Sequence, residues 1–114
     1  VYILSSISNK NMVKVGKANN LKRVPYFSKA GYAGVTDWQQ IVSIPVKSNE
    51  AGIALESMIH AKLFNEGFLL PKIYWDDLIH PGRTVGATEC FKCDIDHAVD
   101  VGEEMAKIYS EFVA

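Results

Sequence analysis

The sequence predicts an α/β (α+β) domain in which a small three-stranded sheet, mixed or antiparallel, is flanked by helices. Two short segments with strand character open the chain, and later segments place apolar residues at helical spacing. With 114 residues and a hydrophobic content of 48%, the chain can build one core but is too short for two ordinary domains. We therefore expect a single domain over residues 1–114.

The N-terminal part predicts a β-hairpin followed by a helix. Residues 2–7 are rich in β-branched and aromatic side chains, residues 8–11 have turn chemistry, and residues 12–16 alternate between apolar and polar. A cap in residues 18–20 then introduces apolar residues at helical spacing, namely Leu21, Val24, Phe27 and Ala30. Pro25 fits only near the start of that helix.

The middle of the chain predicts a loop, a third strand and the clearest helix. Residues 31–37 contain two glycines and indicate a loop, and residues 39–46 have strand character. Asn49 is a suitable helix cap, and Gly67 is a suitable stop. Between them runs one apolar stripe, formed by Ala51, Ala54, Leu55, Met58, Ile59 and Leu63.

The C-terminal part predicts a long ordered loop, a short strand and a last helix. Residues 68–87 contain two prolines and two glycines and show no sustained apolar period. Residues 89–94 indicate a short strand, and Asp96 is the expected cap of the last helix. The residues expected to pack inward from that helix are Val99, Met105, Ile108, Tyr109 and Phe112.

Charge is distributed unevenly along a chain whose formal net charge is only −1. Residues 1–47 contain seven lysines and arginines against Asp37 alone, so this part carries +6 and the remainder −7. The basic half can form a surface that contacts phosphates. The acidic half can bind a divalent cation or keep the protein soluble. Accidental segregation of solvated surface charges is the alternative.

No segment has the length and composition of a membrane span or of a secretory signal. We therefore expect a soluble cytoplasmic protein without a membrane partner. The chain begins at Val1, and strand character is already present at Tyr2, so we expect additional residues or a further domain upstream.

Cys90 and Cys93 are the two cysteines of the chain. A structural zinc site needs four ligands, and the nearby histidines lie at spacings that match no common zinc finger. Residues three apart on a strand point to opposite faces. The pattern therefore favours two buried free cysteines over a zinc or redox site.

The most specific feature is the block Val-Gly-Lys-Ala-Asn-Asn-Leu-Lys-Arg of residues 15–23, with two aromatic residues close behind it. This block predicts a strand that ends in glycine, followed by a first helical turn with positive charge. A backbone can approach a phosphate closely at the glycine. Neither the glycine-rich stretch of a P-loop nor a dinucleotide fingerprint is present. The residues expected to contact nucleic acid are Gly16, Lys17, Lys22 and Tyr26.

Val1-Tyr2-Ile3 on the first strand and Lys14-Val15-Gly16 on the second resemble the two signature strands of GIY-YIG endonucleases. Residues 15–23 are similar to the nuclease domain that makes incisions in bacterial nucleotide excision repair. Residues 14–17, with Ala54-Leu55-Glu56 and His60, are similar to the phage-associated branch, which is often described as DNA-binding. The resemblance extends from Val1 to about Leu63, and it implies a GIY-YIG-like fold and metal-dependent cleavage of DNA.

The resemblance implies a role for each matching residue. Tyr2 would position or activate the attacking water, Gly16 matches the glycine of the second motif, and Arg23 would contact the scissile phosphate. Glu56 would bind a single divalent metal ion, Mg²⁺ or Mn²⁺. Such a set suits phosphodiester hydrolysis, because the cation polarises a phosphoryl oxygen and the arginine stabilises negative charge developing in the transition state.

Lys14 stands where nucleases of this family usually carry their second tyrosine. To act as a base at neutral pH a lysine needs a strongly depressed pKa, whereas as a cation it can grip phosphate. Lys14 therefore joins Tyr2, Arg23 and Glu56 as a candidate catalytic residue, but it also favours the alternative of a non-catalytic DNA-binding module on the same fold. Arg23 follows Gly16 one residue sooner than in the family, which corresponds to about 100° on a regular helix.

Three further features allow more than one interpretation. His60 lies one helical turn after Glu56, where it can share a cation or a hydrogen bond, or pack and cap. Glu89 and the Asp76-Asp77 pair are either second carboxylates or solvated loop residues.

Four aromatic residues can stack on unpaired bases or fill the core: Tyr32, Trp38, Tyr74 and Trp75. A protein-interaction surface over residues 68–75 is a third functional alternative. Because a domain of this size has little room for base readout, specific recognition of DNA would come from flanking residues or from a homodimer.

Overall fold

The computed structural model describes residues 1–18 and 23–113, with side chains for residues 1–18 and 24–110. Two strands open the chain, and three consecutive strands precede the last helix. The elements are β1 (Tyr2–Ser6), β2 (Met12–Gly16), α1 (Arg23–Ala30), a 3₁₀ turn (Tyr32–Gly34), β3 (Trp38–Ser43), α2 (Asn49–Asn65), β4 (Ile73–Asp76), β5 (Thr84–Ala87), β6 (Cys90–Lys92) and α3 (Ile95–Val113).

The larger sheet is antiparallel, with the strand order β3-β1-β2-β6. All five residues of β1 are buried, which suits its position between two neighbours. Tyr2 of β1 lies opposite Gly16 of β2 and Ser43 of β3. The predicted α+β class is confirmed, but the predicted number of three strands is wrong, because β6 pairs with Met12 to Lys14 as a fourth strand.

A second sheet lies within residues 68–87, where the sequence predicted a long ordered loop. There β4 and β5 form an antiparallel pair in which Trp75 lies opposite Val85. Trp75 packs against Tyr32 at a ring-centroid distance of 5.5 Å, whereas Tyr74 next to it is 69% exposed. The apolar pattern was too short to reveal these strands, since each has only four residues.

Strand alternation divides the core between the two faces of the larger sheet. One face packs on α2 and α3, through Ile3, Val13, Val15, Leu55, Ile59, Leu63, Ala98 and Val101. The other face packs on α1, through Tyr2, Leu4, Val24, Phe27, Trp38 and Cys90. Lys14 lies between Val13 and Val15, so its side chain must lie on the same face as Tyr2.

The helix ends differ from their predicted positions by one or two residues. Ser48 caps α2 by accepting a hydrogen bond from the backbone N–H of Ala51, in place of the predicted Asn49. Asp94 accepts from the backbone N–H of Asp96 at the start of α3, in place of a cap by Asp96 itself. Gly67 follows α2 with a φ of 85°, as a helix stop requires.

Helix α1 begins at Arg23, so Pro25 lies in its first turn as predicted. The predicted cap at Asn19 and Asn20, together with Leu21, lies outside the described residues.

Helix α3 approaches the sheet closely at Gly102, where a Cβ atom would come within 2.8 Å of Cδ1 of Ile3. Met105 is buried as predicted, but the buried face also contains Ala98 and Val101. Of the other predicted inward residues, Val99, Ile108 and Tyr109 are half-buried, and the side chain of Phe112 lies outside the described residues.

Cys90 and Cys93 are buried and free, and they belong to the cores on opposite faces of the sheet. This agrees with the prediction that their sulfur atoms do not converge. Among the helices of the described residues, none is both long enough and apolar enough to cross a membrane.

Candidate functional site

The end of β2 lies beneath the aromatic ring of Tyr2. A Cβ atom at Gly16 would come within 2.4 Å of the Tyr2 hydroxyl oxygen and 2.8 Å of Nζ of Lys14. Side chains do not tolerate contacts this short without moving a neighbour. Glycine is therefore required at this position by the close approach of Tyr2 and Lys14.

Lys14 places its ammonium group in a pocket of polar and aromatic groups, and the residue is only 2% exposed. Nζ donates to the hydroxyl oxygen of Tyr2 at 3.0 Å and to Oε2 of Glu89 at 2.9 Å. It also lies 5.0, 4.6 and 4.9 Å from the ring centroids of Tyr2, Phe27 and Tyr32. Cation–π attraction to these rings favours the charged form of the amine.

The charge state of Lys14 results from two opposing effects. Burial penalises the ammonium and by itself would lower the pKa of Lys14, but the Glu89 carboxylate and the Tyr2 hydroxyl outweigh it and raise the pKa above its ordinary value. A lysine with a raised pKa stays protonated at neutral pH. Lys14 therefore acts here as a cation and a hydrogen-bond donor, and not as a base.

Glu89 lies in the connection between β5 and β6. Its backbone carbonyl accepts a hydrogen bond from the N–H of Val15 at 3.3 Å. Its side chain is 36% exposed, and its Oε2 contacts Nζ of Lys14. Because Lys14 is buried, removing the Glu89 charge would leave the ammonium without its anionic partner and would destabilise this arrangement.

One face of α2 lies along the end of β2. A Cβ atom at Gly52 would come within 2.8 Å of Cδ of Lys17, and Nε2 of His60 lies 2.8 Å from the carbonyl oxygen of Val15. Residues four apart share one face of a helix. Glu56 lies midway between Gly52 and His60 in this row, so it faces the same end of β2.

Glu56 is a half-buried carboxylate whose side chain is 19% exposed, and Nε2 of His60 lies 4.0 Å from its Oε1. Burial raises the pKa of Glu56 and the negative charge of Glu89 raises it further, while cationic neighbours act in the opposite direction. A carboxylate that is partly desolvated and near a second negative charge gains from binding a cation.

In the part of the chain that the structure describes, no three His, Cys, Asp or Glu side chains are grouped so that they could hold a metal ion. Mg²⁺ keeps several waters and is often bound by one or two carboxylates together with substrate phosphates.

Of the other predicted nucleic-acid contacts, the structure describes the side chains of Lys17 and Tyr26. Lys17 is half-buried and donates to Oδ1 of Asn49, at the start of α2. Tyr26 lies on α1, is 44% exposed, and contacts Phe27 with its ring. Arg23 is the first residue of α1, but its side chain, like the whole of Lys22, lies outside the described residues.

The Asp76-Asp77 pair serves the β4-β5 connection and does not join the site residues described above. Oδ1 of Asp77 accepts hydrogen bonds from the backbone N–H groups of Ile79 and His80. Oδ1 of Asp76 accepts from the hydroxyl of Thr84 on the neighbouring strand.

Sequence reasoning did not foresee the contact between Lys14 and Glu89, which are 75 positions apart. A signal was present in the strand Met-Val-Lys-Val-Gly, because a lysine flanked by valines on a buried strand needs an acidic partner. The identity of that partner depends on the pairing of β2 with β6. The aromatic wall formed by Phe27 and Tyr32 depends on the same tertiary contacts.

No protein-family model matches the chain, and no curated protein and no solved structure matches it. Functional inference therefore rests on the residues and on their arrangement.

Proposed function

We propose that this domain is a metal-dependent DNA endonuclease that hydrolyses phosphodiester bonds at the end of β2. The observation that carries the proposal is the arrangement around Gly16. The hydroxyl of Tyr2 and the ammonium of Lys14 lie over this glycine, and the α2 face that bears Glu56 lies along the same strand end. The resemblance to GIY-YIG endonucleases assigns the chemistry to these same positions.

Tyr2 would orient or activate the attacking water. Its hydroxyl oxygen accepts a hydrogen bond from Lys14, so the phenolic proton is not used in that contact and can serve a second hydrogen bond. Lys14 fixes the position of the hydroxyl and adds positive charge near the developing phosphorane. Because Gly16 has no side chain, the Tyr2 hydroxyl and the Lys14 ammonium can lie together at the strand end.

Glu56 would hold Mg²⁺ or Mn²⁺, which when bound supplies polarisation of a phosphoryl oxygen. The partial burial of Glu56 and its neighbour Glu89 support this role, since both disfavour a bare carboxylate at this position. Lys17, which follows β2, and Arg23, at the start of α1, would contact the phosphate and stabilise its negative charge.

The test is cleavage of supercoiled plasmid and of branched DNA in Mg²⁺ or Mn²⁺. We expect the wild-type chain to nick DNA and both Glu56→Ala and Arg23→Ala to lose at least about 100-fold in rate, as loss of a transition-state contact typically does. Thermal melting and DNA binding of each variant serve as controls for folding and affinity. Equal cleavage by all three proteins would show that Glu56 and Arg23 do not form the cleavage site.

A non-catalytic DNA-binding module is the second candidate, and the contacts of Lys14 favour it. An ammonium held by Tyr2 and Glu89 stands where family nucleases carry a tyrosine hydroxyl. On this alternative the domain binds DNA, its affinity falls steeply with salt because phosphates are contacted, and no DNA substrate is cut with any divalent metal. Binding that does not depend on salt would contradict both candidates and favour a protein-interaction surface.

A further inference from the structure

The Lys14 ammonium is surrounded by two hydrogen-bond acceptors and three aromatic rings. An ammonium group has three N–H donors. Two oxygen acceptors lie at 2.9 and 3.0 Å, on Glu89 and Tyr2, and three aromatic rings surround the nitrogen within 5.0 Å of their centroids. Because the same nitrogen donates to both oxygens, the position in which Glu89 holds it sets the geometry of its hydrogen bond to Tyr2.

Glu89 is attached to the site by its backbone as well as by its side chain. Its carbonyl accepts from the N–H of Val15, the residue between Lys14 and Gly16. The following residue, Cys90, pairs with Lys14 across β6 and β2. These two backbone contacts fix the Glu89 Cα next to β2, so the carboxylate has a defined origin from which to reach Lys14.

We propose that Glu89 is a positioning residue of the cleavage site: its carboxylate holds the Lys14 ammonium against the Tyr2 hydroxyl and so fixes the orientation of that hydroxyl. The inference rests on the proposed nuclease function. In this account Glu89 touches neither DNA nor metal, and its effect on the reaction passes through Lys14 to Tyr2. A carboxylate is needed because a neutral side chain cannot offset the cost of burying the ammonium.

The test combines single-turnover DNA cleavage with lysine labelling of the same proteins by an amine-acylating reagent, read by mass spectrometry. Glu89→Gln removes the charge with little change in shape, and Glu89→Asp keeps the charge on a shorter side chain. Glu103→Gln, at an exposed position of α3, is the matched control. Thermal melting shows which variants are folded.

For Glu89→Gln we expect the single-turnover cleavage rate at saturating protein to fall by about 100-fold, the effect of a displacement of about 1 Å in a catalytic group. The protein concentration that gives half the maximal rate should stay unchanged, and labelling of Lys14 should rise while labelling of the exposed lysines stays constant. Glu89→Asp should lie between the wild type and Glu89→Gln, and Glu103→Gln should match the wild type. The loss caused by Glu89→Gln should disappear in a Tyr2→Phe background, because Glu89 acts through that hydroxyl.

Three outcomes would overturn the inference. Unchanged cleavage and unchanged Lys14 labelling in Glu89→Gln would show that Glu89 does not hold Lys14. Tighter DNA binding by Glu89→Gln at an unchanged cleavage rate would show that Glu89 competes with phosphate instead of positioning Tyr2. If Glu89→Gln does not fold, a wild-type rate and wild-type labelling in Glu89→Asp would have the same meaning.

Failure of the proposed function has a separate signature. If the wild-type chain cuts no DNA with any metal while Lys14 labelling still rises in Glu89→Gln, the nuclease proposal fails and the positioning role falls with it. If the wild type cuts DNA and Glu89→Gln cuts equally well, the nuclease proposal stands and the inference about Glu89 alone is wrong.

Discussion

Replacing Gly16 with alanine should destabilise the domain and disorganise the site, because the new methyl group has no space. Its Cβ would lie 2.4 Å from the hydroxyl oxygen and 2.6 Å from Cζ of Tyr2. Ordinary carbon contacts begin at about 3.5 Å, so the overlap is about 1 Å. Tyr2 is 3% exposed and packs against Phe27 at a centroid distance of 5.9 Å, which leaves its ring little freedom to move aside.

The expected cost of Gly16→Ala has two parts. Overpacking of a buried position costs about 1–3 kcal/mol. Displacement of the Tyr2 hydroxyl also weakens its hydrogen bond with the charged Lys14, which contributes about 1.5–3 kcal/mol. The free energy of unfolding should therefore fall by about 2.5–6 kcal/mol, and at about 4 °C per kcal/mol the Tm should fall by roughly 10–24 °C.

Urea denaturation followed by circular dichroism measures this change. Gly82→Ala is the control, because a Cβ atom there has no neighbour within 4 Å. It should cost only about 1–2 kcal/mol, since alanine at the positive φ of Gly82 is strained. Tyr2→Phe in the Gly16→Ala background should recover part of the loss by removing the nearest atom. A Gly16→Ala protein as stable as Gly82→Ala would refute the close approach of Tyr2 to the strand end.

Three further predictions concern the core and the charged surface. Burial raises the pKa of the Cys90 thiol from 9.0 to about 11, so its contribution to stability is fully present below pH 9, and the free energy of unfolding falls by about 3 kcal/mol as pH rises through 11. In urea titrations between pH 8 and 11, Cys90→Ala should lose less stability than the wild type. An equal loss in the two proteins would contradict the burial of this thiol. Leu63→Ala at a fully buried position should cost about 2–5 kcal/mol in urea denaturation, whereas Phe64→Ala at an exposed neighbour should change stability by about 0.5 kcal/mol or less; similar values for the two would show that α2 packs on another face. Lys17→Ala should lower the slope of log affinity for DNA against log salt concentration by about one, while Lys107→Ala on α3 leaves it unchanged; the reverse result would place the DNA surface elsewhere.

The elements with strong local patterns could be predicted from the sequence. Strand β1 is predicted by its β-branched and aromatic residues, β2 by its apolar alternation, and α2 by its apolar stripe. The β4-β5 pair could not be predicted, because each strand has only four residues and the two strands together contain a single buried residue, Ala87. The predicted cap of α2 was one residue late, because Ser48 and Asn49 are both good N-cap residues and the local sequence does not decide between them.

The candidate site was predictable where it depends on local pairing. The hairpin of β1 and β2 brings Tyr2 opposite Gly16, and this follows from the turn between them. The charge state of Lys14 was not predictable, because it depends on Glu89, which only the pairing of β2 with β6 brings near. A buried lysine indicates that a carboxylate must lie near it, but the sequence alone does not identify that carboxylate.

The measurement that tests the central claim most directly is the rate of single-turnover plasmid nicking as a function of Mg²⁺ concentration. The wild-type chain and Glu56→Gln are compared, with Glu104→Gln on the exposed side of α3 as the control. We predict a rate that is zero in chelator, that saturates with Mg²⁺ for the wild type and the control, and that is lost or requires far more Mg²⁺ in Glu56→Gln. Nicking that persists in chelator, or that Glu56→Gln leaves unchanged, would contradict metal-dependent cleavage at this site.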